Sequence, residues 1–250
     1  MFDRYSETAL YLFSDEGWSE LPSLVSTDGP LAVARDSAGA VHIAHIRMPD
    51  YLNQVGYEQA EYSIQTQTGW DNEFLIPVAS RYPKKPGDNG ISLALDSTDR
   101  SHLALWSSGN ITYWLRVDDI WQDPEIASFG ALARTFSIKL NSAEVPHIIY
   151  CDIDHELEIT RRGEDGWHSH LLPAACGNGR YGSVLDQDDV LHLAYVDGDG
   201  SIAYGSVSLN AYPTWQSETV DANADYESMN FPFNVSLALD ENGFAHLLVS

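Results

Sequence analysis

The chain has 250 residues, with 37 Asp and Glu against 13 Lys and Arg, for a formal net charge of −24. At 44% apolar and 11% aromatic residues it carries enough for a packed core, so the charge belongs to a folded surface, and that acidity argues against nucleic acid and anionic membranes as partners. No run approaches the roughly 18 apolar residues of a membrane span, and Asp3 and Glu7 stand where a secretory leader needs a basic segment and then an apolar one.

In chain order, ETALYLF from Glu7 and GWSELPSLVS from Gly17 read as two strands with no earlier partner. AVARDSAGAVHIAHI from Ala32 then opens a pattern that returns four times: SLALDSTDRSHLALW from Ser92, SIKLNSAEVPHIIYC from Ser137, GSVLDQDDVLHLAYV from Gly182 and SLALDENGFAHLLVS from Ser236. Each copy places Asp or Asn six residues before His: Asp36 and His42, Asp96 and His102, Asn141 and His147, Asp186 and His192, Asp240 and His246. Trp18, Trp70, Trp121, Trp167 and Trp215 keep the same period, usually after a turn such as EGW, TGW or DGW. Between these anchors stand short runs of Leu, Ile, Val, Tyr and Ala bounded by Gly, Asp, Asn and Pro, which is strand text.

Each unit resolves into four strands, A to D. A is of the SLALD type, B begins at the His, C is of the ITYWL type and D begins at the Trp. Four antiparallel strands per unit of roughly 40 to 50 residues is the pattern of a β-propeller blade. The last unit stops after A and B, while the amino terminus supplies an orphan C and D. We therefore expect an all-β fold, a five-bladed β-propeller in one domain spanning 1–250, with the last blade closed by the N-terminal strands. Small residues at Ala32, Ser92, Ser137, Gly182 and Ser236 suit strands crowding an axis; Lys139 and Arg35 break that pattern.

The Asp, turn, His and Trp of this repeat resemble the inner hairpin of bacterial propellers of five to seven blades, and are loosely similar in logic to WD-repeat and Asp-box families. The resemblance implies architecture; such propellers include lectins, glycosidases, lyases and binding scaffolds. The Ser-x-Asp-x-Gly-x-Thr-Trp form of a true Asp box is missing, so sialidase chemistry does not carry over. The five Asp and His pairs are expected to fix the A to B hairpins rather than to hold a metal, because a ring spreads them too far apart for one ion. The Trp residues are expected to be packing anchors whose indole N–H needs one partner. Cys151 and Cys176 are expected to stay unpaired: with strand C between them, two strand steps of about 4.8 Å exceed the roughly 7 Å that a disulfide spans.

Function is expected on the irregular D to A loops, which begin at Ala79, Ala127, Pro173 and Val220, and on the B to C turns of the same face. The candidate ligand-binding residues are Arg47, Arg81, Tyr82, Asp88, Trp106, Arg134, Lys139, Arg180, Tyr181 and Tyr226. Aromatic faces stack on the apolar side of a pyranose and planar polar groups bind its hydroxyls, so this mixture suits a carbohydrate. Because the loops do not repeat, a single lectin-like site at that face is expected rather than five equal ones. The alternatives are a polysaccharide-active enzyme of lyase type, with Tyr181, Tyr82 or His155 as base and Arg134 or Arg180 neutralising a carboxylate, and a protein-interaction scaffold. Glycosidase chemistry is disfavoured, because the inner-strand positions that would carry paired carboxylates hold Ala, Ser and Gly. No cofactor or metal is expected.

Overall fold

Strand alternation and tight turns dominate the chain, and the computed structural model describes residues 11–14, 17–20, 30–47, 58–78, 90–107, 109–176, 181–210, 214–222 and 235–249. Among these every regular element is a strand. A short hairpin of β1 (Tyr11–Ser14) and β2 (Gly17–Glu20) comes first. Four antiparallel sheets follow. They are β3 (Leu31–Arg35) to β6 (Gly69–Val78) through β4 (Val41–Arg47) and β5 (Glu58–Thr66); β7 (Gly90–Leu95), β8 (Ser101–Ser107) and β9 (Asn110–Val117) with both β10 (Ile120–Trp121) and β11 (Glu125–Phe129) on β9; β12 (Ala131–Leu140), β13 (Pro146–Asp152), β14 (Glu156–Gly163) and β15 (Gly166–Ala175); and β16 (Tyr181–Leu185), β17 (Val190–Val196), β18 (Ile202–Ser208) and β19 (Gln216–Asp221). The hairpin of β20 (Val235–Leu239) and β21 (Ala245–Val249) ends the described chain, and no pairing joins it to β1 and β2 among the described residues.

The sheets are the four complete units read from the repeat, and their inner strands lie side by side in the order β3, β7, β12, β16, β20. Apolar residues of neighbouring sheets meet face to face, so the core is a series of slabs between sheets. One slab joins Ala44, Ile46 and Tyr62 to Ile91, Leu93 and Leu103; the next joins Ala104, Ile111 and Tyr113 to Phe136, Ile138 and Tyr150; a third joins Ile149, Leu157 and Leu172 to Leu191 and Tyr195. The inner strands need small residues, as expected. Ser92 Oγ accepts from Ile138 N at 3.0 Å and Ser137 Oγ meets Ser183 Oγ at 2.9 Å. At Gly182 a Cβ would stand 2.8 Å from Leu237 N and 2.9 Å from Val235 O, so β20 approaches β16 where only glycine leaves room.

Two D to A segments differ from the sequence expectation. The residues from Ala127 were expected to be a loop, yet β11 and β12 are separated only by Gly130, at φ 78°. Pro124 interrupts the outer edge of that sheet, which is why strand D comes as β10 and β11. Tyr181, expected in a loop, begins β16.

Candidate functional site

The repeated polar residues serve the turns, although the buried His147 Nε2 finds no hydrogen-bond partner among the described residues. At each A to B turn the Asp or Asn side chain accepts from backbone amides: Asp36 from Ala40, Asp96 from Thr98 and Arg100, Asn141 from Val145, Asp186 from Asp188 and Val190, Asp240 from Asn242 and Phe244, at 2.6 to 2.9 Å. The second carboxylate oxygen of Asp36, Asp96, Asp186 and Asp240 faces Nε2 of the His six residues on, at 3.1 to 3.4 Å. Nδ1 then receives a tyrosine hydroxyl from strand C, Tyr62 for His42, Tyr113 for His102 at 2.8 Å and Tyr204 for His192 at 2.5 Å. Where strand C carries Ile159 instead, His147 Nδ1 turns to Val145 O at 2.9 Å. Burial alone would raise the Asp36 and Asp186 carboxyls, but the His and amide hydrogen bonds outweigh it and hold both below the usual range. The hairpin role of Asp and His is thus the observed one.

The same turns fasten neighbouring sheets. Ser37 donates from N at 2.8 Å and Oγ at 2.5 Å to Asp99 of the next sheet, Ser97 does the same to Glu144, and Ser142 to Asp189 at 2.7 and 2.5 Å. Farther out, Glu73 of the first sheet accepts from Arg116 at 2.7 Å and from Trp121 Nε1 at 2.8 Å; Glu125 of the second accepts from Arg162 at 2.7 and 2.9 Å and from Trp167 Nε1 at 2.9 Å. Trp121 also stands edge-on to Tyr62, and Trp167 to Tyr113, each at 5.1 Å between ring centres. The expectation that Trp anchors the sheets is met at Trp121 and Trp167, whose partners were readable, since Arg stands five residues before Trp in both units, whereas the buried Trp215 Nε1 finds no hydrogen-bond partner among the described residues.

The candidate binding residues divide sharply. Arg81, Tyr82, Asp88, Arg180 and Tyr226 lie outside the described residues, and only the backbones of Arg47, at the end of β4, and Arg134, within the irregular stretch of β12, are described. Trp106 and Tyr181 are corrections. The Trp106 indole donates to Ala131 O at 2.7 Å and is 8% exposed; the Tyr181 hydroxyl donates to Ile149 O at 2.5 Å and the residue is 5% exposed. Both were placed at the loop face because a loop was expected beside them, but each begins or ends a strand and packs between sheets. Burial also pushes the Tyr181 hydroxyl far up, opposed only by contacts with Ser137, so it is no general base at neutral pH. His155 is exposed, in the left-handed region at φ 63° within the turn from β13 to β14.

The face bearing the D to A links does present exposed apolar groups. Phe129 is 71% and Ile153 62% exposed, and Ile153 N donates to Gly130 O at 2.9 Å, which ties the two segments together. Cys151 and Cys176 are joined in a disulfide, with Cα atoms 6.2 Å apart, against the expectation from strand counting. Cys176 follows the end of β15 and its amide donates to His155 O at 2.7 Å, so it lies against the turn itself, where no full strand intervenes.

Lys139 is also relocated. Expected among the ligand-binding residues of the loop face, it stands instead one residue from the end of β12, at the mouth formed by the A to B turns. It lines a cavity of about 590 Å³ there, with Leu93, Ile138, Val184 and Leu185 and the turn residues Asn141, Ser142, Asp186, Gln187 and Asp189. Burial holds its ammonium below the usual lysine value.

No protein-family model and no curated protein matches the chain. Solved structures do. The SapL1 lectin, in complex with alpha methyl fucoside, superposes with a TM-score of 0.58 at 10% identity over 93% of this chain and 81% of that one. The lectin of Aleuria aurantia, a six-bladed β-propeller with a fucose recognition mode, gives 0.62 at 9% identity over 88% and 72%. AofleA from Arthrobotrys oligospora gives 0.60 at 10% identity over 93% and 69%. At such identities the likeness is one of fold, and the chain has an all-β propeller-type fold built of antiparallel four-stranded blades.

Proposed function

We propose that the protein is a lectin-like, carbohydrate-binding propeller, with its sugar site at the face of the D to A links and B to C turns. The observation that carries this is the likeness, across 88 to 93% of the chain, to a lectin in complex with alpha methyl fucoside and to a six-bladed propeller lectin with a fucose recognition mode. The exposed Phe129 and Ile153 supply apolar contact at that face, and Arg47, Arg81, Tyr82, Asp88, Arg134, Arg180 and Tyr226 are the polar and aromatic groups assigned to it. Titration with methyl α-L-fucoside tests it. Saturable binding that weakens about tenfold in Phe129→Ala, with an unchanged unfolding midpoint, is the expected result; no response to any sugar on a glycan array rejects it.

We further infer a single domain, 1–250, of five blades, with β1 and β2 serving as strands C and D beside β20 and β21. Each of these is a lone antiparallel pair, whereas the four units between them have all four strands. Removal of residues 1–20 is then expected to lower the unfolding midpoint by several degrees, and an unchanged midpoint would argue against closure.

A further inference from the structure

Lys139 occupies the inner-strand position that holds Ala34, Ala94, Val184 and Ala238 in the other units. A long cation has entered a place where the repeat otherwise puts a small apolar group. It makes no hydrogen bond or ion pair among the described residues, though two carboxylates line the same cavity. Both are already committed. Asp186 takes two turn amides on one oxygen and His192 on the other, and Asp189 takes Ser142 on both oxygens and Asn210 Nδ2 at 2.6 Å. Asn141 is likewise occupied, accepting from Val145 N and donating to Asn210 at 3.2 Å. That leaves Lys139 and the Gln187 amide as the polar side chains of the lining without a described partner.

An ammonium drawn partly out of water with no carboxylate in direct contact is unfavourable, and an anion entering the cavity relieves it. The walls beside it, Leu93, Ile138 and Leu185, are apolar. A small ligand with one carboxylate and an apolar ring face matches that set. Large polyanions do not, because the surrounding body carries a net charge of −24.

We propose that the axial cavity at the A to B turn end is a binding site for a small carboxylate-bearing ligand, held by Lys139 through its charge and by Gln187 through its amide. This site lies at the opposite end of the inner strands from the sugar-binding face and stands independently of it.

Calorimetric titration of the full chain with sodium D-glucuronate, with D-glucose as the neutral control, tests the assignment. Glucuronate is expected to bind at sub-millimolar concentration and glucose at least tenfold more weakly. Lys139→Met should lose at least tenfold in glucuronate affinity and Gln187→Ala several-fold, while methyl α-L-fucoside binding is unchanged in both. Lys139→Met is also expected to unfold at the same or a higher temperature, since it removes an unpaired, half-buried cation, so loss of binding will not reflect loss of fold. Equal glucuronate affinity in wild type and Lys139→Met, or no saturable glucuronate binding by the wild type, overturns the proposal. Loss of fucoside binding together with glucuronate binding would place both ligands in one site and overturn it as well.

Discussion

The first three seams between blades and the fourth solve the same problem differently. At the first three, a turn Ser donates to an acid in the next turn, Asp99, Glu144 or Asp189, and all three acids sit in the left-handed region, at φ 64°, 61° and 58°. At the fourth, the donor position holds Gln187 and the acceptor position Gly243, at φ 81°. Gly39, at φ 90°, fills the same acceptor position in the first unit. The turn demands a left-handed residue everywhere. A side chain accepts that strain, on the order of 1 kcal/mol, only where it gains the hydrogen bonds of a neighbouring serine, and glycine takes over where no serine faces it. The fourth seam relies instead on close strand approach at Gly182.

The strongest way to break this contrast is Gly182→Val, which drives a side chain into the β20 backbone. We expect a loss of about 3 kcal/mol in urea unfolding, because backbone cannot yield as a side chain would. Next is Glu125→Ala at the second seam, which strips acceptors from Arg162 and from the half-buried Trp167 indole; about 1.5 kcal/mol is expected by the same measurement.

Ser142→Ala should cost about 1 kcal/mol at pH 7. The Ser142 hydroxyl, with Asn210 and against the effect of burial, holds Asp189 below the usual carboxylate range. A depressed folded pKa contributes stability that is present above the ordinary value near 4 and lost as pH falls through the folded one. The gap between wild type and Ser142→Ala is therefore expected to close on acidification below about pH 4, and a gap that persists there would refute the charged acceptor. Smallest is the attempt to install the missing link. Gly243→Asp alone should destabilise slightly, and adding Gln187→Ser should recover that loss and up to about 1 kcal/mol more, read as a coupling energy in a double-mutant cycle.

Much of this was legible beforehand because it is local. An Asp six residues before a His builds a hairpin by itself, so the turns and the strand order within each repeat could be read directly. The links between blades were visible in principle as Ser and acid one repeat apart, or as Arg five before Trp, but they emerge only when units are compared with their neighbours. The loop face was harder. Tyr181 and Trp106 are aromatic residues beside irregular text, and nothing in that text distinguishes a ring lying between sheets from one facing solvent. Lys139 was recognised as an exception, but its end of the axis follows from strand direction. The disulfide was misjudged because counting whole strands overlooks a turn that lets the chain pass around a strand's end.

The turn hydrogen bonds of the first three seams all run one way, from each turn to its successor. Such a head-to-tail joint is heterologous: the second and third units each present both a donor, Ser97 or Ser142, and an acceptor, Asp99 or Glu144, so either can follow another of its kind. The joint chemistry is therefore indifferent to how many units are present. A unit duplicated in register would bring its own complementary edges, which gives this architecture a direct route between propellers of different size.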